Sequence, residues 1–495
     1  MTRGTLTRVA IGAGFVLVAL VLGQRALRHE VPPSAATSSA IAPPGAPARV
    51  ESRAPAASEP APENHQGFLY GRVTTIGGDT YEGRLRWGGG QEAFWGDYFN
   101  GAKDENTWAA YVPPERLPGA GRPIKILGFE IARGDRHEKL QRLFMARFGD
   151  IARIDARGTD VLVTLRSGTV FDLDRFEASD FDDGLRVWDR ERGVVDLDSL
   201  RIRAIELLPT RPLGEAPGRL HGTVRTRQGE FTGFVQWDRE KCVGLDELAG
   251  RTAEGPLRLR FDSIRSIARR SRDSALVTQL DGREIVLSGR ETGSDNRGIY
   301  VDDPRYGRVL VSWDAFERLD FRPAGSGPAY DEFPPGRPLT GSITTRTGTR
   351  LAGRLVYDLD ESETTETLDA PSGGVDYTIP FGLIASIVLP GRDERGADHV
   401  QLTLHDGARL QLEREGDLGD NNSGMLVFVE GRERPEYVPW AEIQQVEFDR
   451  PPAMYPRAGG AVGSGNSCRC FPVSPAGSFD ATGAVGSSMP RCMVR

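Results

Sequence analysis

Apolar and polar positions alternate along most of this chain in short runs cut by glycine, and the whole pattern recurs three times. Leu69 to Thr75 leads into Tyr81 to Trp87, Leu220 to Thr226 into Phe231 to Asp238, and Leu339 to Thr345 into Leu351 to Asp358. Period-two alternation builds half-buried strands. Gly78, Gly229 and Gly348 sit between the paired runs and supply turn conformations that other residues reach only with strain. Each block therefore predicts a hairpin, with Gly71, Gly222 and Gly341 near the start of its first strand. Self-similarity on this scale marks an architecture built by duplication.

The first half of each repeat closes on a period of three: Phe148-x-x-Ile151-x-x-Ile154, Phe261-x-x-Ile264-x-x-Ile267 and Phe381-x-x-Ile384-x-x-Ile387. Apolar residues three apart suit a short 3₁₀ turn running into a strand. The second half opens with another hairpin, Val161, Val163 and Leu165 into Val170, Phe171 and Leu173, or Val400, Leu402 and Leu404 into Leu410 and Leu412. Asp281-Gly282 and Asp406-Gly407 are strong hairpin-turn signals. That half ends on Trp313-x-x-Phe316-x-x-Leu319 and Trp440-x-x-Ile443-x-x-Val446, whereas the first repeat reads Leu197, Leu200 and Ile205, as if two residues were inserted. The expectation is an all-β protein of three tandem repeats at 67–211, 212–330 and 331–450, each made of two small hairpin-rich, barrel-like modules. The first carries an insertion at about 88–143.

Each half resembles the Sm-like small β-barrels, in which a five-stranded meander carries a 3₁₀ turn with [RK]-G-[DN]-x-I. The residues are Arg260-Phe261-Asp262-Ser263-Ile264 and Arg147-Phe148-Gly149-Asp150-Ile151, over about 50 to 65 residues per half. Phe261 stands where that family has glycine, and the Asp-aromatic-Asn signature that stacks a base is missing after Asp238 and Asp358. The resemblance thus implies a fold and not RNA binding. As a whole the chain resembles exported bacterial β-repeat proteins.

Composition adds a location. Val9 to Gly23 is apolar or small throughout and follows Arg3 and Arg8. About 15 residues is short for a spanning helix of about 20 and typical of a signal core. Residues 1–30 read as a cleaved signal or a retained membrane anchor, and the Pro/Ala-rich stretch 31–66 as an extended tether. This layout predicts a protein anchored in the inner membrane facing the periplasm, or secreted to the periplasm or the exterior. The formal charge of −8, with a net positive charge at each end, leaves the repeats acidic, so nucleic acid is not an expected partner. Of four cysteines only Cys242 lies in the repeats; Cys468, Cys470 and Cys492 lie in a Gly/Ser-rich tail, 451–495, expected to be disordered.

Candidate chemistry is sparse. Loops around Asp180 and Asp182, Asp295 and Asn296, and Asp420 and Asn422 cluster oxygens ahead of a glycine, which suits Ca²⁺ and equally suits a plain turn. Asp358, Asp360, Glu361 and Glu363 form an acidic stretch in the third repeat only, read as a solvated loop or a weak cation site. Trp95, Tyr98, Trp108, Trp237 and Trp313 would contact a glycan or a partner if exposed and would fill cores if buried. The six histidines have no ligand spacing, and no nucleophile elbow or phosphate loop stands out. The function expected is a non-enzymatic envelope scaffold that meets an envelope protein or wall polymer. The alternatives are a wall-binding protein and an enzyme with a site between repeats. No cofactor is expected beyond the Ca²⁺ candidate.

Overall fold

Turn glycines and alternating strands produce ten strands per repeat, laid down in the same order each time. A computed structural model describes residues 67–451, apart from 89, 104–105, 114–115, 117–124, 127–128, 131–141, 176–177, 214–216, 326 and 392–398. The expected signal or anchor, the tether, the cysteine-bearing tail beyond 451 and much of the insertion lie outside the described residues. Among the described residues no helix is long and apolar enough to cross a membrane.

The first repeat contains β1 (Tyr70–Thr75), β2 (Thr80–Trp87), β3 (Tyr98–Lys103), β4 (Arg142–Arg147), β5 (Ile151–Arg157), β6 (Asp160–Leu165), β7 (Val170–Asp174), β8 (Leu185–Asp189), β9 (Gly193–Leu197) and β10 (Ile202–Leu207). The second contains β11 (His221–Thr226), β12 (Gly229–Trp237), β13 (Glu247–Thr252), β14 (Gly255–Arg260), β15 (Ile264–Ser271), β16 (Ser274–Gln279), β17 (Glu284–Ser288), β18 (Ile299–Asp303), β19 (Gly307–Val311) and β20 (Phe316–Phe321). The third contains β21 (Thr340–Thr345), β22 (Arg350–Val356), β23 (Thr367–Ser372), β24 (Val375–Pro380), β25 (Ile384–Val388), β26 (His399–Leu404), β27 (Arg409–Glu413), β28 (Met425–Phe428), β29 (Glu436–Val438) and β30 (Ile443–Phe448). An extra two-residue hairpin, Lys125–Ile126 with Phe129–Glu130, lies in the insertion.

The all-β, triply repeated architecture is as the sequence predicts, and the 3₁₀ turns fall at Phe148–Asp150, Phe261–Ser263 and Phe381–Leu383. The arrangement of halves differs. In the first repeat the sheet order is β9-β8-β2-β1-β10-β5-β6-β7-β3-β4, an open array with no closed barrel among the described residues. It consists of two five-stranded runs joined where β10 pairs with β5, Ile205 opposite Ile154. Each run draws strands from both halves: β1 and β2 pair with β10 and β8, while β6 and β7 sit between β5 and β3. The halves are interlocked because a hairpin's local turn signals fix its own pairing and leave its outer neighbours to long-range packing.

One register needs correcting. Ser199, Ile202 and Ile205 occupy the places of Trp313, Phe316 and Leu319, with no insertion; Ile202 and Ile205 are buried and Leu200 is 68% exposed. The tryptophan position of the first repeat is simply a serine, whose carbonyl accepts a hydrogen bond from Arg175 at 2.7 Å.

The repeats are welded together. β19 pairs with β24, Val309 opposite Tyr377, so repeats two and three share a ladder and one continuous apolar core. The first repeat joins them through side chains. Arg308 of β19 reaches Asp97 at 3.1 Å, and the short 3₁₀ turn Thr107–Tyr111 of the insertion packs against Val356, Leu359 and Leu426.

Candidate functional site: an acidic cavity in the third repeat

Comparison of the three repeats isolates the site. In each, a strand ends on, or one residue before, a large aromatic, Trp87, Trp237 or Tyr357, whose N–H donates across a tight turn to the carbonyl four residues on: Gln91 at 3.0 Å, Lys241 at 2.8 Å, Glu361 at 2.8 Å. The second and third turns hold Asp238 (φ 53°), Arg239 (φ 59°), Asp358 (φ 48°) and Leu359 (φ 56°) in the left-handed region. Two successive positive φ values match the twist of a tight hairpin turn, and Asp tolerates them better than most residues.

A carboxylate then caps the loop that follows. Asp97 accepts the N–H groups of Glu92 and Ala93, Asp246 those of Cys242 and Val243, and Glu366 those of Ser362 and Glu363, all at 2.6 to 3.0 Å. A second carboxylate arrives from the loop after β7, β17 or β27. Asp180 accepts from Asn100 N–H at 2.8 Å, Glu291 from Ala249 at 2.8 Å, and Asp417 from Asp369 at 2.7 Å.

The repeats diverge in what neutralises these acids. In the second, Lys241 Nζ lies 3.0 Å from Glu291 Oε1, and buried Asp238 is paired with Arg290 at 3.1 Å and Arg297 at 3.5 Å. In the first, the place of Lys241 is taken by Gln91, and Asp180 accepts a second hydrogen bond from Asn100 Nδ2 at 2.7 Å. In the third, the places of Lys241, Arg290 and Arg297 are taken by Glu361, Gly416 and Ser423. Three cationic side chains are lost and two acids are gained, Glu361 in place of Lys241 and Asp369 in place of Ala249.

The result is a cavity of about 450 Å³ lined by Asp358, Asp360, Glu361, Glu366, Asp369 and Asp417, with Lys103 of β3 reaching in from the first repeat. Lys103 Nζ lies 2.7 Å from Asp360 Oδ1 and 3.3 Å from Glu366 Oε1. Leu143 and Met145 of β4 complete the rim, and Leu143 is 85% exposed.

Burial pushes the Asp417 carboxyl up to about 8, with the Asp369 charge adding to it, and pushes Asp369 up to about 6. Glu361 is raised well above the ordinary range by burial and then by Asp360 and Asp417. Glu366 is raised by burial and restrained by Lys103. Burial pulls the Lys103 ammonium down, but Glu366, Asp360 and Glu361 outweigh it and the net shift is upward.

The sequence-predicted sites are placed differently. The supposed Ca²⁺ loops do not gather their oxygens. Asn296 and Asn422 are spent bracing backbone, each donating to the carbonyl of the recurring acid, Glu291 or Asp417, at 2.8 Å and accepting the N–H two residues on at 2.8 Å. Asp180 is held by Asn100, Asp182 and Asp295 are exposed, and Asp420 is paired with Arg414. Among the described residues no group of three or more His, Cys, Asp or Glu has metal-holding geometry.

The aromatic contacts are corrected likewise, because burial removes them from any glycan or partner. Trp95, Tyr98, Trp237 and Trp313 are all at most 3% exposed. Trp237 Nε1 donates to Glu291 O at 2.9 Å, and Trp313 Nε1 to Arg272 O at 2.7 Å. Trp108, half-buried, stacks edge-on against Phe428 of the third repeat, with Arg354 over its ring. The insertion's partner is thus another part of the same chain.

The acidic stretch is not a solvated loop. Asp358 and Asp360 are 5% and 7% exposed and line the cavity with half-buried Glu361, while Glu363 turns to accept from Ser167 and Thr169 of the first repeat. Lys103, Glu366, Asp369 and Asp417 escaped sequence reading. Aligning Lys241 with Glu361 at the fourth position after the aromatic is the signal that finds them. No family model matches the chain, and no curated protein or solved structure matches it.

Proposed function

We propose that the chain is a non-enzymatic scaffold of the bacterial envelope, exported or tethered through its N-terminal apolar segment, whose repeats form a rigid platform for an envelope protein or wall polymer. The observation that carries this reading is where the recurring polar side chains are used. Asp97 and Glu366 each cap a loop of their own repeat and also meet a cation from another, Arg308 and Lys103 respectively. Asp246 does the same with Arg86 at 3.5 Å. The most regular polar feature of the fold thus serves to lock repeats together, as a load-distributing platform requires.

The test is fractionation of a bacterial host producing the full chain, with sequencing of the mature N-terminus and a photo-cross-linking residue at Val194, which is 57% exposed on edge strand β9. The expected result is recovery in the envelope fraction with a discrete adduct to an envelope component. Recovery of an unprocessed chain in the cytosolic fraction, without an adduct, overturns the proposal.

A further inference from the structure

We propose that the third-repeat cavity is a binding site for a primary ammonium group carried on an alkyl chain. The second repeat is its template. There the Lys241 ammonium is seated 3.0 Å from Glu291 Oε1 while Glu291's other oxygen is held by the Ala249 N–H at 2.8 Å. The third repeat keeps every part of this seat. Asp417 stands for Glu291, its backbone donor is Asp369, and its carbonyl is fixed by Tyr357 Oη and Asn422 Nδ2, both at 2.8 Å. The ammonium that sat against this acid is gone, replaced by Glu361, and Asp369 adds a carboxylate where the second repeat has Ala249.

Two further observations point to a ligand. Glu361 Oε2 is closed off from solvent and has no hydrogen-bond partner among the described residues, a costly arrangement for a buried polar atom unless something meets it. Beside the acids, exposed Leu143 and half-buried Met145 offer an apolar rim suited to the methylenes of an alkylammonium. Lys103 does not fill the seat, because its ammonium is engaged by Asp360 and Glu366. The carboxylates lack metal-holding geometry, whereas an ammonium presents three donors and accepts a looser ring of oxygens.

The test is isothermal titration of the full chain with 1,4-diaminobutane, Nα-acetyl-lysine amide, tetramethylammonium and CaCl₂. Saturable one-to-one binding of the diamine, absent for tetramethylammonium, is expected; binding of the lysine amide as well would extend the source to a lysine side chain. Glu361→Lys supplies the missing ammonium in cis and should weaken diamine binding by about tenfold or more. Should that variant fail to fold, Asp417→Asn, of the same shape, should weaken binding similarly while circular dichroism remains native. The proposal is overturned by no saturable amine binding, by equal binding to wild type and folded variants, or by Ca²⁺ binding where the amines do not.

Discussion

Lys103 and Asp360 meet at 2.7 Å across the junction of the first and third repeats, and both side chains are about nine-tenths buried. A buried pair of this kind contributes little net stability compared with an apolar replacement of both partners, but loss of one partner strands the other. Lys103→Met should therefore destabilise the chain by about 3–5 kcal/mol at neutral pH, since Asp360 and Glu366 lose their cation together. Urea unfolding checks this, and a double variant with Asp360→Asn should recover part of the loss.

The same cavity sets a pH dependence. The groups that face one another are Asp358, Asp360, Glu361 and Glu366 from the β22–β23 segment, Asp369 from β23, Asp417 from the turn after β27 and Lys103 from β3. Asp369 and Asp417 rise to about 6 and about 8 in the folded chain. A carboxyl raised on folding binds more protons in the folded state, so its contribution is present at low pH and is lost as pH climbs from about 4 through the folded value. Lys103, raised in the folded state, stays charged throughout this window. Stability should fall by a few degrees in Tm between pH 5 and pH 8, and Glu361→Lys should flatten the slope. A thermal melt series at constant ionic strength checks both.

Much of the fold is legible in the sequence because its signals are local. Glycine turns, period-two strands and the Phe-x-x-Ile-x-x-Ile turns each declare themselves within about ten residues. The interlocking of halves is not legible, since the outer partner of β2 is β8, close to 100 residues away. The acidic cavity lies between these cases. Asp358, Asp360 and Glu361 are conspicuous in sequence, yet Lys103, the partner of Asp360, comes from the first repeat, and Asp417 joins them only once β27 is folded beside β23. The aromatic residues misled for a related reason: a tryptophan at a strand end reads alike whether it faces solvent or, as Trp237 does, a neighbouring Trp313 ring 6.3 Å away.

Exchanging Lys241 and Glu361 one at a time should give opposite results. Glu361→Lys places an ammonium beside Asp417 as the second repeat does beside Glu291, and should raise Tm by a few degrees. Lys241→Glu sets two partly desolvated carboxylates together and should cost roughly 2–4 kcal/mol, with the loss shrinking at low pH as one carboxyl is protonated. Denaturant melts at pH 5 and pH 7.5 distinguish the two.

The open edge at β14 carries its own guard. In the third repeat the equivalent strand, β24, pairs outward with β19, Leu310 opposite Asp376. Ser312 N–H donates to Gly374 O at 3.0 Å, and the alternation of an antiparallel ladder then aims the Asp376 N–H at β19. The place of Asp376 on β14 is taken by Pro256, opposite Arg251 as Asp376 is opposite Pro371. Proline has no N–H to offer, and exposed Arg258 and Arg260 flank it with charge. Pro256→Thr should restore an unbroken edge donor row where the fold elsewhere forms a ladder. Light scattering after size exclusion should then show concentration-dependent association that the parent chain lacks, and a further charge on the same strand, Leu257→Lys, should suppress it. A variant that stays as dispersed as the parent would mean that the arginines alone keep this edge closed.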